Sequence, residues 1–300
     1  MNNDVLISNI QRFSLDDGEG IRTTVFFKGC NLKCKWCHNP ECIAFGPAVQ
    51  LIKTSCTSCG ICEKVCKQKV HRITNGQHTM EREACIHCGE CMEFCNNDAL
   101  KRVGKNYSAE EVMDIILKDK AYYETSGGGV TFSGGDPMLA LSMLKELLME
   151  CKKQGLSTAV DTAGHVSFDK YQKVMPYTDV FLIDLKVWDD EKHRFYTGVS
   201  NALIKENIRR ISDSGKRIII RIPVIGSVND DLKELGEMAE FLKSIKMVEL
   251  VQLLPYHLYG IGKYEMIGME SEQERFYAPG SEFMNQACAL FQKKGITVSF

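Results

Sequence analysis

The chain has almost no excess of charge: 37 Lys and Arg stand against 39 Asp and Glu, for a net charge of −2. That excludes the basic stripe expected of a nucleic-acid binder or of a protein held to an anionic membrane surface. Long hydrophobic runs are missing too, so no segment reads as a membrane span. The first residues, Met1-Asn2-Asn3-Asp4, lack the basic and apolar regions of a secretion signal, which predicts a cytoplasmic protein. What the chain does have is cysteine, 14 in 300 residues. In a reducing cytosol clustered cysteine means metal rather than disulfide. The length suffices for one large α/β domain and a smaller one.

Three cysteines, Cys30, Cys34 and Cys37, fall in Cys-Asn-Leu-Lys-Cys-Lys-Trp-Cys, directly after the apolar run Thr24-Val25-Phe26-Phe27. A cubane iron–sulfur cluster is usually held by four thiolates. Three leave one iron open, as a three-ligand catalytic zinc keeps a position for water or substrate. A structural metal knuckle completed by Cys42 or His38, or simple packing of three small apolar residues, fits the loop alone as well.

Eight more cysteines form two blocks of one spacing, Cys56, Cys59, Cys62, Cys66 and, 29 residues on (85 − 56), Cys85, Cys88, Cys91, Cys95. This is the bacterial two-cluster ferredoxin spacing, in which the fourth cysteine of each block serves the other block's cluster. The expected sets are Cys56, Cys59, Cys62 with Cys95, and Cys85, Cys88, Cys91 with Cys66. Zinc sites pair cysteines in twos and suit the pattern less well. Lys67 and Asn96 stand where ferredoxins place Pro, a change to the turn after the ligand. Of the three cysteines left over, Cys151 and Cys288 lie in helical patterns and read as packed apolar residues. Packing is also the reading for Cys42, although it lies near the first loop.

The Cys30 loop with Trp36 before its third cysteine resembles the cluster motif of radical S-adenosylmethionine enzymes. Asp17-Gly18-Glu19-Gly20-Ile21-Arg22 and Trp36-Cys37-His38-Asn39-Pro40-Glu41 narrow the resemblance to glycyl-radical-enzyme activating enzymes, over essentially the whole chain.

Strands are predicted at 5–13 and 23–29, and beyond Gly104 strands and helices alternate. Ser108-Ala109-Glu110-Glu111 reads as a capping box. A helix is expected from Met138 to about Gln154. Strands are expected at 129–132, 157–161, 180–186, 217–225 and 248–254, with a final one at 297–300. Six β-then-α units imply a parallel sheet, two units short of a closed eight-stranded barrel. The predicted fold is therefore α/β. It is a partial (β/α)6 TIM-like barrel over 1–45 and 104–300, with a ferredoxin-like insert carrying two [4Fe-4S] clusters over 46–103.

Ligands of parallel α/β folds sit at the carboxyl ends of the strands. The unusual polar groups fall there: the Cys30 loop, Ser133-Gly134-Gly135-Asp136, Asp161-Thr162, Asp184 with Lys186, and His257. Each alone has a structural reading as turn, cap or solvated charge, but together they converge on one rim. The resemblance assigns them roles around S-adenosylmethionine. Gly134-Gly135-Asp136 would meet the methionine amino group, and Asp136, one methylene shorter than the family's Glu, leaves that contact to the backbone. Asp161, Thr162 and Asp184 would form a monovalent-cation site. Lys186 would pair with the cofactor carboxylate and His257 would touch the nucleoside, with Arg221 a further candidate for the pocket.

The resemblance implies three [4Fe-4S] clusters and reductive cleavage of S-adenosylmethionine to methionine and a 5′-deoxyadenosyl radical. That radical would take a Cα hydrogen from one glycine of a partner glycyl radical enzyme. A flavodoxin or ferredoxin would donate electrons, and the chain would act as a monomer. Two other readings compete. In one, a radical enzyme acts on a small molecule, yet no extra C-terminal domain caps the barrel. In the other, a polyferredoxin carrier leaves the 200 residues after Gly104 without a task.

Overall fold

The computed structural model describes residues 4–300. Its strands are β1 (Val5–Ser14), β2 (Arg22–Phe27), β3 (Ala48–Leu51), β4 (His71–Thr74), β5 (Gln77–Met80), β6 (Leu100–Val103) and β7 (Lys105–Tyr107). They continue with β8 (Gly129–Gly134), β9 (Ser157–Thr162), β10 (Val180–Asp184), β11 (Arg217–Val224), β12 (Val248–Pro255) and β13 (Val298–Ser299). Nine of them form one sheet in the order β13-β12-β11-β10-β9-β8-β2-β1-β7. From β2 through β13 all neighbours are parallel, while β1 runs antiparallel to β2 and to β7. The fold is α/β with a mixed, mainly parallel sheet, and its two edges, β7 and β13, do not pair with each other.

The sequence explains the layering. Val180-Phe181-Leu182-Ile183 and Ile218-Ile219-Ile220 are continuous apolar runs, as strands covered on both faces require. Helices cover them with one stripe each. In Leu141–Lys153 the buried residues Leu144, Leu147, Leu148 and Cys151 recur at helical spacing, and in Ala202–Asp213 so do Ile204, Ile208 and Ile211. Cys151 and Cys288 are both buried in helices, as expected. The capping box forms: Ser108 Oγ accepts from Glu111 N, and the Glu111 carboxylate accepts from Ser108 N.

The predicted helix at 138–154 starts later. Asp136 accepts from Met138 N and Pro137 sets the first turn, so 137–139 is a 3₁₀ turn and the α-helix begins at Leu141. The last strand is shorter than predicted, because only Val298 and Ser299 reach β12.

Residues 48–103 add nothing to the large sheet. β3 pairs antiparallel with β6 at their base, and β4–β5 is a separate hairpin turning at Asn75-Gly76, both with φ above +50° as its tight turn needs. The two cysteine blocks are conformational repeats. Ser58 and His87, Gly60 and Gly89, and Lys69 and Asp98 all have positive φ at matching places. Short helices Ile61–Val65 and Glu90–Glu93 follow the same pattern. Helix Ile261–Ile267 stands between this unit and the rim of the sheet. Arg82 donates to the Val49 and Met266 carbonyls, Lys53 pairs with Glu265, and Lys263 donates to Asn39 Oδ1 and Glu41 Oε1.

Candidate functional site

A cavity of about 490 Å³ opens at the carboxyl ends of the parallel strands. Cys30, Cys34 and Cys37 line it from the loop after β2, Ser133, Gly134 and Gly135 from β8, and Asp161 and Thr162 from β9. Asp184 and Lys186 enter from β10, Arg221 from β11 and His257 from the turn after β12. A groove of about 590 Å³ elsewhere, lined by Lys28, Arg102 and Lys105, contains no cysteine.

The loop approaches β8 very closely. Gly135 N donates to Phe27 O and Asp136 N to Gly29 O, each at 2.8 Å. A Cβ on Gly135 would lie 2.6 Å from the Gly29 carbonyl carbon and 2.7 Å from the Cys42 carbonyl oxygen. Gly134 has φ +113°, a conformation that side chains disfavour. Trp36 is buried beneath the loop, 5.7 Å from the Tyr196 ring and edge-on to Phe276 at 6.1 Å.

Of the two candidate fourth ligands, Cys42 lies outside the cavity and His38 lines it. Cys42 is buried away from the cavity with its Sγ 3.0 Å from Ser8 Oγ. The His38 ring stacks on His257 at 3.9 Å, and its Nε2 meets the His257 carbonyl at 3.0 Å. Burial pushes the Cys30 thiol up to about 12 and raises Cys34 and Cys37 as well. Among the described residues, Cys62, His71 and His78 are the group whose ligand atoms all close to within 4.8 Å.

The charges are paired. Lys186 Nζ donates to Asp184 Oδ2 at 2.6 Å. Burial works against its charge, but Asp184 and then Cys34 outweigh that and raise its pKa. Arg221 lies 3.2 Å from Asp161 Oδ2 and 3.5 Å from Asp17 Oδ1. Asp161 also accepts from Ser133 Oγ at 2.7 Å, yet burial carries it up to about 6. Asp136 departs from the rest. Its carboxylate turns inward to Thr162 Oγ1 and Met138 N, is 1% exposed, and does not line the cavity. His38, Tyr256, Asp16 and Asn39 line it although sequence reasoning gave them no cofactor role. The one signal for His38 and Asn39 was their place in the run that follows Cys37.

In the insert, one cavity is lined by Cys56, Cys59, Cys62 and Cys95 and another by Cys66, Cys85, Cys88 and Cys91. These are the two crossed sets expected from the spacing.

An open three-thiol loop at the carboxyl edge of a parallel sheet, beside a rim of carboxylates and cations, resembles the cluster loop of the Radical SAM superfamily. Residues 83–242 match that superfamily and residues 55–100 a 4Fe-4S dicluster domain. The chain is 44% identical over 232 residues to the (2S)-3-sulfopropanediol dehydratase activating enzyme of Klebsiella oxytoca, covering 76% of this chain and 73% of that protein. It is 39% identical over 300 residues to the choline trimethylamine-lyase activating enzyme of Oleidesulfovibrio alaskensis, covering 98% and 97%. A solved domain of a pyruvate-formate lyase-activating enzyme from Bacteroides vulgatus superposes with a TM-score of 0.50 at 34% identity, over 57% of this chain and 98% of that one. The chain belongs to the glycyl-radical-enzyme activating enzymes. It uses iron–sulfur and S-adenosylmethionine radical chemistry to form a glycyl radical on a partner enzyme. No helix among the described residues is long and apolar enough to cross a membrane.

Proposed function

We propose that Cys30, Cys34 and Cys37 hold the [4Fe-4S] cluster on which S-adenosylmethionine is cleaved, within a sheet curled as a partial barrel over 1–45 and 104–300. The observation that carries this reading is that the three cysteines of one loop line the cavity at the carboxyl edge of the sheet, while Cys42 lies outside it against Ser8. When bound, the cluster and the sulfonium supply one-electron cleavage to methionine and a 5′-deoxyadenosyl radical, which takes the glycine Cα hydrogen.

The chain's own residues orient and seal. Gly134 and Gly135 present backbone to the amino group of the methionine end. Lys186 meets its carboxylate, and the stacked His38 and His257 flank the nucleoside. Asp161, Thr162 and Asp184 accept a monovalent cation, with Arg221 balancing Asp161. Trp36 fixes the loop from below. The Asp136 carboxylate braces Thr162, so any contact from this segment to the methionine end would come from backbone.

The insert, 46–103, holds two further [4Fe-4S] clusters, three in all, and takes electrons from a flavodoxin or ferredoxin. The activase acts in the cytoplasm as a monomer.

Anaerobically reconstituted protein with a strong reductant should convert S-adenosylmethionine to 5′-deoxyadenosine. Cys34→Ala should abolish this while keeping about two-thirds of the iron, the share of two clusters among three. Cleavage by the variant, or loss of all its iron, would overturn the assignment. A glycyl radical signal should appear by electron paramagnetic resonance only when activase and partner are mixed. A signal on a small molecule instead would favour the second reading of the sequence.

A further inference from the structure

The hairpin β4–β5 carries two buried histidines that the cleavage reaction does not use. His71 is 2% and His78 6% exposed. His78 lines the cavity of Cys56, Cys59, Cys62 and Cys95, whereas His71 lines that of Cys66, Cys85, Cys88 and Cys91. The rings meet across the space between, with His71 Nδ1 2.9 Å from His78 Nε2. On its other side His78 Nδ1 lies 3.4 Å from Cys56 Sγ. Nε2 also approaches Cys62 Sγ, at 3.7 Å.

Proton positions follow from what each atom can do. A metal-bound thiolate only accepts, so the nitrogen nearer to it, His78 Nδ1, must carry the hydrogen. Nε2 of the same neutral ring then holds the lone pair, and the hydrogen between the rings sits on His71 Nδ1. The opposite tautomer would aim a lone pair at the nearer sulfur, Cys56 Sγ, whereas here the Nε2 lone pair is taken up by His71 at 2.9 Å, closer than Cys62 Sγ at 3.7 Å. Among the described residues no side-chain N–H reaches a sulfur of the second set; Cys66 Sγ accepts from the backbone N–H of Val70, at 3.4 Å.

We propose that His78, held in one tautomer by His71, donates to the sulfur of Cys56 and thereby makes the Cys56, Cys59, Cys62, Cys95 cluster the more easily reduced of the insert's two. Hydrogen bonds to cluster sulfurs stabilise the extra negative charge of the reduced state and raise its potential. His78 and His71 are positioning residues: they touch no substrate and set where an electron entering the insert rests. The inference rests on the two crossed ligand sets proposed above. Taking Cys62, His71 and His78 as ligands of a single ion would remove Cys62 from the four-cysteine cavity it lines.

The test is a redox titration of the reconstituted full chain followed by electron paramagnetic resonance, with iron and zinc counted. The active cluster is recognised by its response to S-adenosylmethionine. His78→Leu should lower the midpoint of one insert cluster by about tenfold in its reduced-to-oxidised ratio, which is ~59 mV for one electron, and leave the other in place. His78→Gln, which keeps an N–H, should restore most of the shift. His71→Leu should shift the same cluster in the same direction by less, with iron content unchanged, and it carries the test if His78→Leu fails to assemble. Unchanged midpoints with all clusters present overturn the inference. So does one zinc per chain that is lost with His78. Wild-type protein without insert clusters would instead overturn the ligand sets themselves.

Discussion

Gly135→Ala isolates the contact between β8 and the cysteine loop. The added methyl would sit 2.6 Å from the Gly29 carbonyl carbon and 2.7 Å from the Cys42 carbonyl oxygen, both backbone atoms that cannot rotate away. Ordinary contact needs about 3.4 Å or more, so the two segments must part by roughly 1 Å. Overpacking of this kind costs about 1–3 kcal/mol, and the paired hydrogen bonds from Gly135 N and Asp136 N are worth about 1 kcal/mol each. A total near 3 kcal/mol lowers the thermal midpoint by about 5 °C, given about 2 cal/mol/K of unfolding entropy per residue over 300 residues. The effect on chemistry should be larger. The displaced segment leads into Cys30, and a 1 Å misplacement costs about 10²-fold in rate. The assay is 5′-deoxyadenosine formation under strong reductant, alongside iron content and the midpoint. Gly262→Ala is the control: it lies in a helix with nothing within 4 Å of the new Cβ, and it should stabilise by up to about 1 kcal/mol. A Gly135→Ala protein with the parental rate and midpoint would refute the reasoning.

Three other outcomes are expected. Arg221→Met leaves Asp161 buried without its cation and should cost about 3–5 kcal/mol. Potassium should raise the midpoint of this variant more than that of the parent, and equal responses would argue against a cation site at Asp161 and Asp184. Burial raises Asp136 to about 6, above its unfolded value, so the folded state holds the extra proton and stability falls as pH rises from about 4 to about 6. Asp136→Asn should flatten the thermal midpoint against pH over that window, and parallel curves would contradict it. Iron removal should unfold the insert but spare the large sheet, because the insert's apolar core is small and built around Cys62 and Cys91. Hydrogen exchange should then rise across 53–99 and stay slow in β8–β11, and uniform protection would count against this.

Legibility in the sequence followed how local each constraint is. Cluster ligands must reach one body from a short loop, so the blocks at Cys30, Cys56 and Cys85 were readable by spacing, and the crossed cavities agree with that spacing. Strand ends were readable because apolar runs such as 180–183 stop where polar groups begin, and those groups face one cavity. Side-chain direction was less visible. Asp136 sits at a strand end like its neighbours, yet Pro137 and the free Met138 N turn it inward as a cap, which also delays the helix to Leu141. Pairings across long separations left no local signal. His38 meets His257 only after the sheet is built, and His71 meets His78 only because Asn75-Gly76 reverses the chain.

The rim charges carry a consequence for how the cofactor is held. Lys186 is already paired with Asp184, and Arg221 with Asp161 and Asp17. On the reading proposed above, a zwitterionic methionine end at this rim would exchange partners with the matched pairs of Lys186 and Arg221. Matched pairs in a dry site add little net affinity, since what the newcomer gains is offset by what it displaces and by its own desolvation. What such pairs give is direction, because each carboxylate and each cation is fixed at a strand end. Orientation is also what the chemistry supplied by a cluster and a sulfonium would require of these residues. Ser133, Gly134, Asp161, Thr162, Asp184 and Arg221 lie on β8 through β11, where main-chain hydrogen bonds fix direction better than loops do, while the three cysteines, Lys186 and the stacked histidines lie on connections.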